Sequence, residues 1–230
     1  MVYLYDDLAG DEECANSWLR VLSSSRREKC LKYKFDKDKL LCEVSFVLIR
    51  YALYKEYGIS YMPEFRTDKS GKPFFQRSEL FFNVSHCGNA VLVGLDTEPL
   101  GLDIQDYTKD INEIRDSFCT DKERGIFTDE KALTRLWTVK EAYGKYSGDG
   151  LGYDFKKKDF SEIRDYYLTQ KYENFLIYSK QREQYALSIC SKNRIPEALV
   201  TKRGFHDFAD YLLKTVGGRQ NVAMAATGTP

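Results

Sequence analysis

Apolar residues recur at spacings of three and four through Leu40, Leu41, Val44, Val47, Leu48 and Tyr51, which places them on one face of a helix. Helical periodicity extends over Arg26–Tyr57, and Gly58 closes it as a C-terminal glycine does. Upstream, the pattern predicts a short strand over Val2–Tyr5 and a helix over Asp11–Leu22, with Ser23-Ser24-Ser25 as a cap for the next helical run. The rhythm then changes. Asp68-Lys69-Ser70-Gly71-Lys72-Pro73 is a turn by composition. Phe81–Ser85, Ala90–Leu95 and Leu102–Gln105 are predicted strands, punctuated by Gly88, Asn89, Pro99 and Gly101. Asp129–Tyr146 is the second strong helix, with Leu133, Leu136, Trp137 and Lys140 in register and Gly148, Gly150 and Gly152 closing it. Asn174–Ser179 and Gln184–Cys190 form a hairpin, and the Gly-, Ala- and Thr-rich residues from about Gly217 are expected to form a frayed tail. Helices and strands in mixed order, with no clean internal repeat, make the fold class α+β.

Charge narrows the function classes. Lys+Arg and Asp+Glu number 35 each, so no global field draws the chain to nucleic acid or to an anionic membrane, and any basic site must be local. No apolar run approaches the roughly 20 residues of a membrane helix. The opening residues lack the charged-then-apolar pattern of a secretory signal, so the expected location is cytoplasmic. Six cysteines without C-x-x-C spacing, beside two histidines, fit buried reduced thiols better than a disulfide framework or a Cys/His metal site.

Two segments carry candidate chemistry. Residues two apart on a strand share a face, so Asp103 and Gln105 point one way while Leu102 and Ile104 enter the core. On the second helix Trp137, Glu141 and Lys145 step by four, with Lys140 beside them. Taken singly, the first segment fits an exposed polar strand face and the second a surface ion pair. In combination, Gly101–Gln105, a spacer of about thirty residues, Trp137–Lys145 and Gly148-x-Gly150-Leu151 resemble the signature of the 4'-phosphopantetheinyl transferase superfamily. Phe82-Asn83-Val84-Ser85-His86, Gly71-Lys72-Pro73, Arg26-Arg27-Glu28-Lys29-Cys30 and Val47-Leu48-Ile49-Arg50 further resemble its surfactin-synthetase-activating (Sfp-like) branch, over about residues 1–195.

That resemblance implies transfer of the phosphopantetheine arm of coenzyme A, the substrate, to a serine of an apo carrier protein, releasing 3',5'-adenosine bisphosphate. The carriers would belong to nonribosomal peptide, polyketide or fatty-acid synthases, with the first two favoured. It implies Mg2+, or Mn2+ in its place, held by Asp103, Glu141 and Gln105. Glu141 would take the serine's proton, and Lys145 would neutralise charge on the leaving phosphate. Arg26, Lys29, Lys72, Ser85, His86, Lys140 and Lys145 would contact coenzyme A. The implied fold is two halves related by a pseudo-twofold, each a long helix on a small antiparallel sheet. The halves are expected at residues 1–98 and 99–205, with an extension at 206–230, in a monomer. Two positions depart from the family pattern. Gln105 stands where Glu is common, and Leu41 where an Arg often meets the 3'-phosphate, with Lys39 nearby as its expected substitute. These departures leave a non-catalytic binder of coenzyme A or carrier domains as one alternative, and an interaction domain of unrelated function as another.

Overall fold

The computed structural model describes residues 1–61, 65–69, 71–76, 78–148, 154–163, 169–193 and 196–226, with side chains described through Thr215. The closing Gly150, Leu151 and Gly152 lie outside them. In chain order the elements are β1 (Val2–Tyr5), α1 (Ser24–Leu31), α2 (Asp36–Tyr57), β2 (Phe65–Thr67), β3 (Pro73–Phe75), β4 (Phe81–His86), β5 (Val91–Asp96), β6 (Leu100–Asp106), α3 (Ile111–Phe118), α4 (Asp121–Ile126), α5 (Glu130–Ser147), β7 (Thr169–Tyr172), β8 (Phe175–Gln181), β9 (Tyr185–Ser191), β10 (Glu197–Leu199) and α6 (Lys202–Ala226). This is a mixed α+β fold.

Two four-stranded sheets form its centre. The first has the order β10-β1-β5-β4, with β10 parallel to β1, and the second has the order β6-β9-β8-β7, antiparallel throughout. Strand alternation sorts the side chains. Val2 and Leu4 of β1, Leu92 of β5, Leu100, Leu102 and Ile104 of β6, and Leu187 and Ile189 of β9 make one cluster between the sheets. Tyr3, Tyr5, Val91 and Val93 face the other way, against Val44, Val47 and Leu48 of α2. Cys190 and Ile177 join Leu136, Val139 and Ala142 of α5 on the outer face of the second sheet. The layers therefore run helix, sheet, sheet, helix.

Two predicted helices take a different form. In place of one helix over Asp11–Leu22 there are two short 3-10 turns, Leu8–Cys14 and Leu19–Val21. Asn16 between them has φ 74°, and the buried Glu43 carboxylate accepts the Asn16 and Trp18 N–H groups at 2.8 Å, which takes the backbone out of the helical ladder. The run over Arg26–Tyr57 divides into α1 and α2 because Cys30 and Cys42 bury in one cluster with Phe46. On a single straight helix those cysteines would stand about 18 Å apart. At the other end, β10 returns the chain to the first sheet, and Phe205, Phe208, Ala209 and Leu212 of α6 pack into the α2 cluster. The helix bounds reach Ala226, into the segment where a tail is expected. All six cysteines are free and five are buried. Among the described residues no helix is long and apolar enough to cross a membrane.

Gly101 sets the distance between β6 and α5. A Cβ there would stand 2.0 Å from the Ala142 carbonyl oxygen and 2.4 Å from the Tyr146 nitrogen, so backbone packs directly on backbone. Gly101→Ala must push α5 off the sheet. It is expected to lower stability by about 3 kcal/mol, read by urea denaturation. An unchanged midpoint would mean that the two elements are free to separate.

Candidate active site

The site begins with an unpaired sheet edge. β6 is the outer strand of its sheet, and two of its inward N–H groups meet side chains of β4 instead of a strand. Leu102 N–H donates to Asn83 Oδ1 at 3.1 Å and Ile104 N–H to Ser85 Oγ at 3.4 Å. Asn83 and Ser85 lie two apart and share a face, so the strand period lets both reach across. This closes the edge and carries Ser85 to Asp103.

Asp103 is 1% exposed. Its Oδ1 accepts Ser85 Oγ–H at 2.7 Å and pairs with the Lys145 ammonium at 2.6 Å, while Oδ2 accepts from Gln105 Nε2 at 3.3 Å. Lys145 also donates to the Leu102 carbonyl at 3.1 Å, which ties the last turn of α5 to β6. Glu141, one turn earlier on α5, is half-buried, and among the described residues its carboxylate makes no hydrogen bond or ion pair. Burial pushes its carboxyl above the usual range, the Asp103 charge adds to this, and Lys145 opposes both. Trp137, another turn back, packs against Phe118 at 5.1 Å and Phe155 at 4.9 Å and anchors the helix.

Gln105 thus keeps the face predicted for it, beside Asp103. Asp106 cannot take its place in the carboxylate set, because it points to the opposite side and accepts the Gly88 N–H at 2.6 Å. His86 ends β4 at the exposed rim of the cleft; desolvation among its neighbours lowers its pKa, and the Lys145 charge adds to that. Lys72, from the turn between β2 and β3, donates to the Lys145 carbonyl oxygen. Burial holds its pKa below the ordinary lysine value. Arg26 and Lys29 lie farther out, on the wall of a cavity of about 340 Å³.

Lys140 corrects the expectation of a second cation in the cleft. It is fully buried on another side of α5, pairs with Glu123 at 2.9 Å, and donates to the carbonyls of Phe155 at 2.6 Å and Lys158 at 3.0 Å. Neighbouring positions on a helix stand about 100° apart, so Lys140 and Glu141 face different surroundings. Lys39 does not stand in at Leu41 either: its ammonium holds Asp36 at 2.8 Å.

Two residues that periodicity did not single out matter here. Glu123 is legible only as the fourth position of a Thr120-x-x-Glu123 capping box, which the structure contains. Arg66 lies on the wall of the same cavity as Arg26 and carries no sequence signal beyond its charge. A third cluster, Asp11, Cys14 and His206, has ligand atoms within 4.8 Å of one another. Its carboxylate is already matched by Lys202 at 3.0 Å, His206 at 2.9 Å and the Tyr5 hydroxyl, so it serves to dock α6.

As an oxygen-rich pair of carboxylates with an amide alongside, Asp103, Glu141 and Gln105 suit a hard cation. The unpartnered Glu141 beside a second carboxylate is the feature such an ion would relieve.

Comparison with known proteins gives a consistent picture. A family profile described as "4'-phosphopantetheinyl transferase superfamily" matches residues 92–190, and one described as "4'-phosphopantetheinyl transferase, N-terminal" matches residues 11–98. A 4'-phosphopantetheinyl transferase of Bacillus subtilis is 28% identical over 158 residues, covering 65% of this chain and 70% of the relative. The 4'-phosphopantetheinyl transferase Sfp of Bacillus subtilis strain 168 is 29% identical over 157 residues, 64% of this chain and 70% of its own length. The 4'-phosphopantetheinyl transferase psf-1 of Bacillus pumilus is 28% identical over 141 residues, 57% of this chain and 60% of its own.

Proposed function

The chain belongs to the 4'-phosphopantetheinyl transferase superfamily, close to its Sfp-like branch, and from this we propose that it transfers the phosphopantetheine arm of coenzyme A to a serine of an apo carrier protein. The observation that carries the reading is the meeting of Asp103 from β6, Glu141 and Lys145 from α5, and Ser85 from β4 in one cleft. Transfer of this kind rests on positioning and on neutralising charge at the phosphate oxygens. Asp103, Glu141 and Gln105 would hold Mg2+, or Mn2+, which when bound supplies positive charge to the pyrophosphate.

The chain's own groups do the rest. Glu141 is free to accept a proton, so it takes the hydrogen of the carrier serine as the serine oxygen attacks the β-phosphorus. The bond from that phosphorus to the bridging oxygen breaks, and 3',5'-adenosine bisphosphate leaves with the electron pair. Lys145, within reach of the same cleft, offsets the negative charge on the departing phosphate. Lys72 and His86, at the rim, orient the pyrophosphate. A pseudo-twofold relating the halves is supported by α2 and α5, each lying on its own four-stranded sheet. The reading includes a cytoplasmic monomer acting on carriers of peptide or polyketide synthases.

The test is to incubate the protein with an apo carrier domain, coenzyme A and magnesium, and to weigh the intact carrier. One added phosphopantetheine, lost when EDTA replaces the metal, is the expected result. A carrier set of peptide, polyketide and fatty-acid type that stays unmodified, with coenzyme A still bound, would leave a binder and not a transferase. Gln105→Glu adds a charged ligand, and is expected to lower the magnesium needed for half-maximal rate by about tenfold. An unchanged magnesium titration would remove residue 105 from the metal's surroundings.

A further inference from the structure

The 3-10 turn Leu8–Cys14 and the start of α6 meet at a set of donor groups that no spacing along the chain foretells. Side chains three apart eclipse one another in a 3-10 turn, so Asp11 and Cys14 share one face. Lys202 and His206 stand four apart on α6, and both turn to that face. Asp11, Cys14 and His206 each bring a ligand atom within 4.8 Å of the others, although Asp11 and His206 are 195 residues apart in sequence.

A carboxylate oxygen, an imidazole nitrogen and a sulfur make a mixed set that suits Zn2+ better than Mg2+ or Ca2+. Tetrahedral bonds of about 2.0–2.3 Å put neighbouring donors about 3.3–3.8 Å apart. Donors already within 4.8 Å reach that arrangement by small side-chain shifts. Their supports are in place. Asp11 is buried, its second oxygen accepts the Tyr5 hydroxyl, and Trp18 packs edge-on against the His206 ring at 5.5 Å. Cys14 is half-buried, and its sulfur makes no hydrogen bond among the described residues. Burial first, and the Asp11 charge after it, push its thiol above the ordinary range, a cost that a bound dication reverses. Positive charge is already drawn to this point: the Lys202 ammonium stands 3.0 Å from Asp11 Oδ1 and donates to the Gly10 carbonyl at 2.7 Å. The Lys202 side chain is 38% exposed, so it can turn to water while a dication takes its place at the carboxylate.

We propose that Asp11, Cys14 and His206 form a Zn2+ site that clamps α6 to the Leu8–Cys14 turn, with water in the fourth position. The metal takes over the docking of α6 from Lys202 and from the hydrogen bond between His206 and Asp11. His206 Nε2 faces the carboxylate and is the nitrogen that binds, so the neutral ring carries its proton on Nδ1. Binding releases the Cys14 thiol proton to solvent. The site shares no residue with the cleft at Asp103 and Glu141, and His206 lies beyond residues 92–190, which match the transferase profile. It therefore stands or falls separately from the transferase reading.

The experiment is spectroscopic titration of the metal-free full chain with Co2+ in excess Mg2+, followed by Zn2+. Co2+ enters Zn2+ sites and shows a sulfur-to-cobalt charge-transfer band in the near ultraviolet only when a thiolate binds it. The oxygen donors of Asp103, Glu141 and Gln105 cannot produce that band, and the other five cysteines are buried. One Co2+ per chain with this band, erased by Zn2+, is the expected result. C14S is expected to abolish the band and H206Q to weaken Co2+ by about 100-fold, with thermal melts in EDTA checking that both fold. Zn2+ should raise the melting temperature of the wild type and leave that of C14S unchanged. K202M keeps all three donors and removes the competing ammonium, so it should bind Co2+ more tightly, which tests the site even where H206Q does not fold. No band in the wild type, a band that survives in C14S, H206Q titrating as the wild type does, equal Zn2+ shifts in wild type and C14S, or weaker binding by K202M each overturns the site.

Discussion

Glu141→Ala is expected to reduce the rate of carrier modification by about 10²–10⁴-fold, the share a positioned general base supplies, while the protein stays folded. The two halves of this expectation have separate causes. The carboxylate faces Asp103 and Lys145 across the cleft but bonds to no protein group among those described, so the fold does not depend on it. Its charge is, on the contrary, a cost: burial comes first and the Asp103 carboxylate second in pushing its pKa up. Glu141→Gln, which keeps the shape and removes the charge, should therefore melt at or slightly above the wild-type temperature and lose as much activity as the alanine variant. Single-turnover mass measurements with saturating coenzyme A, beside a thermal melt, read both. Retained activity in either variant would take Glu141 out of the chemistry, and a fall in melting temperature would show that it is holding the structure instead.

Asp103 differs in this respect. It is buried with three side-chain partners, so its removal would strand Lys145 and Ser85 as well as alter the chemistry. For that reason Glu141 is the cleaner probe of catalysis, although both carboxylates belong to one site.

The placement of these groups was legible in the sequence because it depends on local period alone. A period of two sets Asp103 and Gln105 on one face of β6, and a period of 3.6 sets Glu141 and Lys145 on one face of α5. The capping signals were equally local: Asp129 accepts the Ala132 N–H at 2.9 Å, and Gly148 ends α5 with φ 82°. The features that escaped the sequence depend on distant partners. No glycine or proline marks the break between α1 and α2 at Lys32–Phe35, and it exists because Cys30 packs beside Cys42. β10 has three residues, and its reason to be a strand is β1 at the opposite end of the chain, where Val2 aligns with Glu197. The cavity wall at Arg66 forms only once the β2–β3 hairpin folds over α2, and nothing in the spacing of its residues signals that.

Lys140 shows the same limit with a larger energetic consequence, and Lys140→Met is expected to destabilise the protein by about 3–5 kcal/mol. Lys140 and Glu123 are both fully buried, 2.9 Å apart. Burial lowers the Lys140 pKa, opposed by Glu123. Glu123 is held further by the Thr120 N–H and the Phe160 N–H, each at 2.7 Å, so the pair joins α4, α5 and the segment after α5. Methionine fills the space of the lysine stem but leaves the Glu123 carboxylate charged, buried and short of its cation. Adding Glu123→Gln should recover part of the loss, because the amide oxygen can still accept one of the two N–H bonds and no charge is left behind. Urea denaturation of both single variants and the double variant reads the coupling. A role for Lys140 in gripping coenzyme A makes the opposite forecast, a raised KM for coenzyme A with stability unchanged. The buried pair instead requires that the folded fraction of Lys140→Met bind coenzyme A as the wild type does, and a KM that rises while the denaturation midpoint stays put would return Lys140 to the cleft.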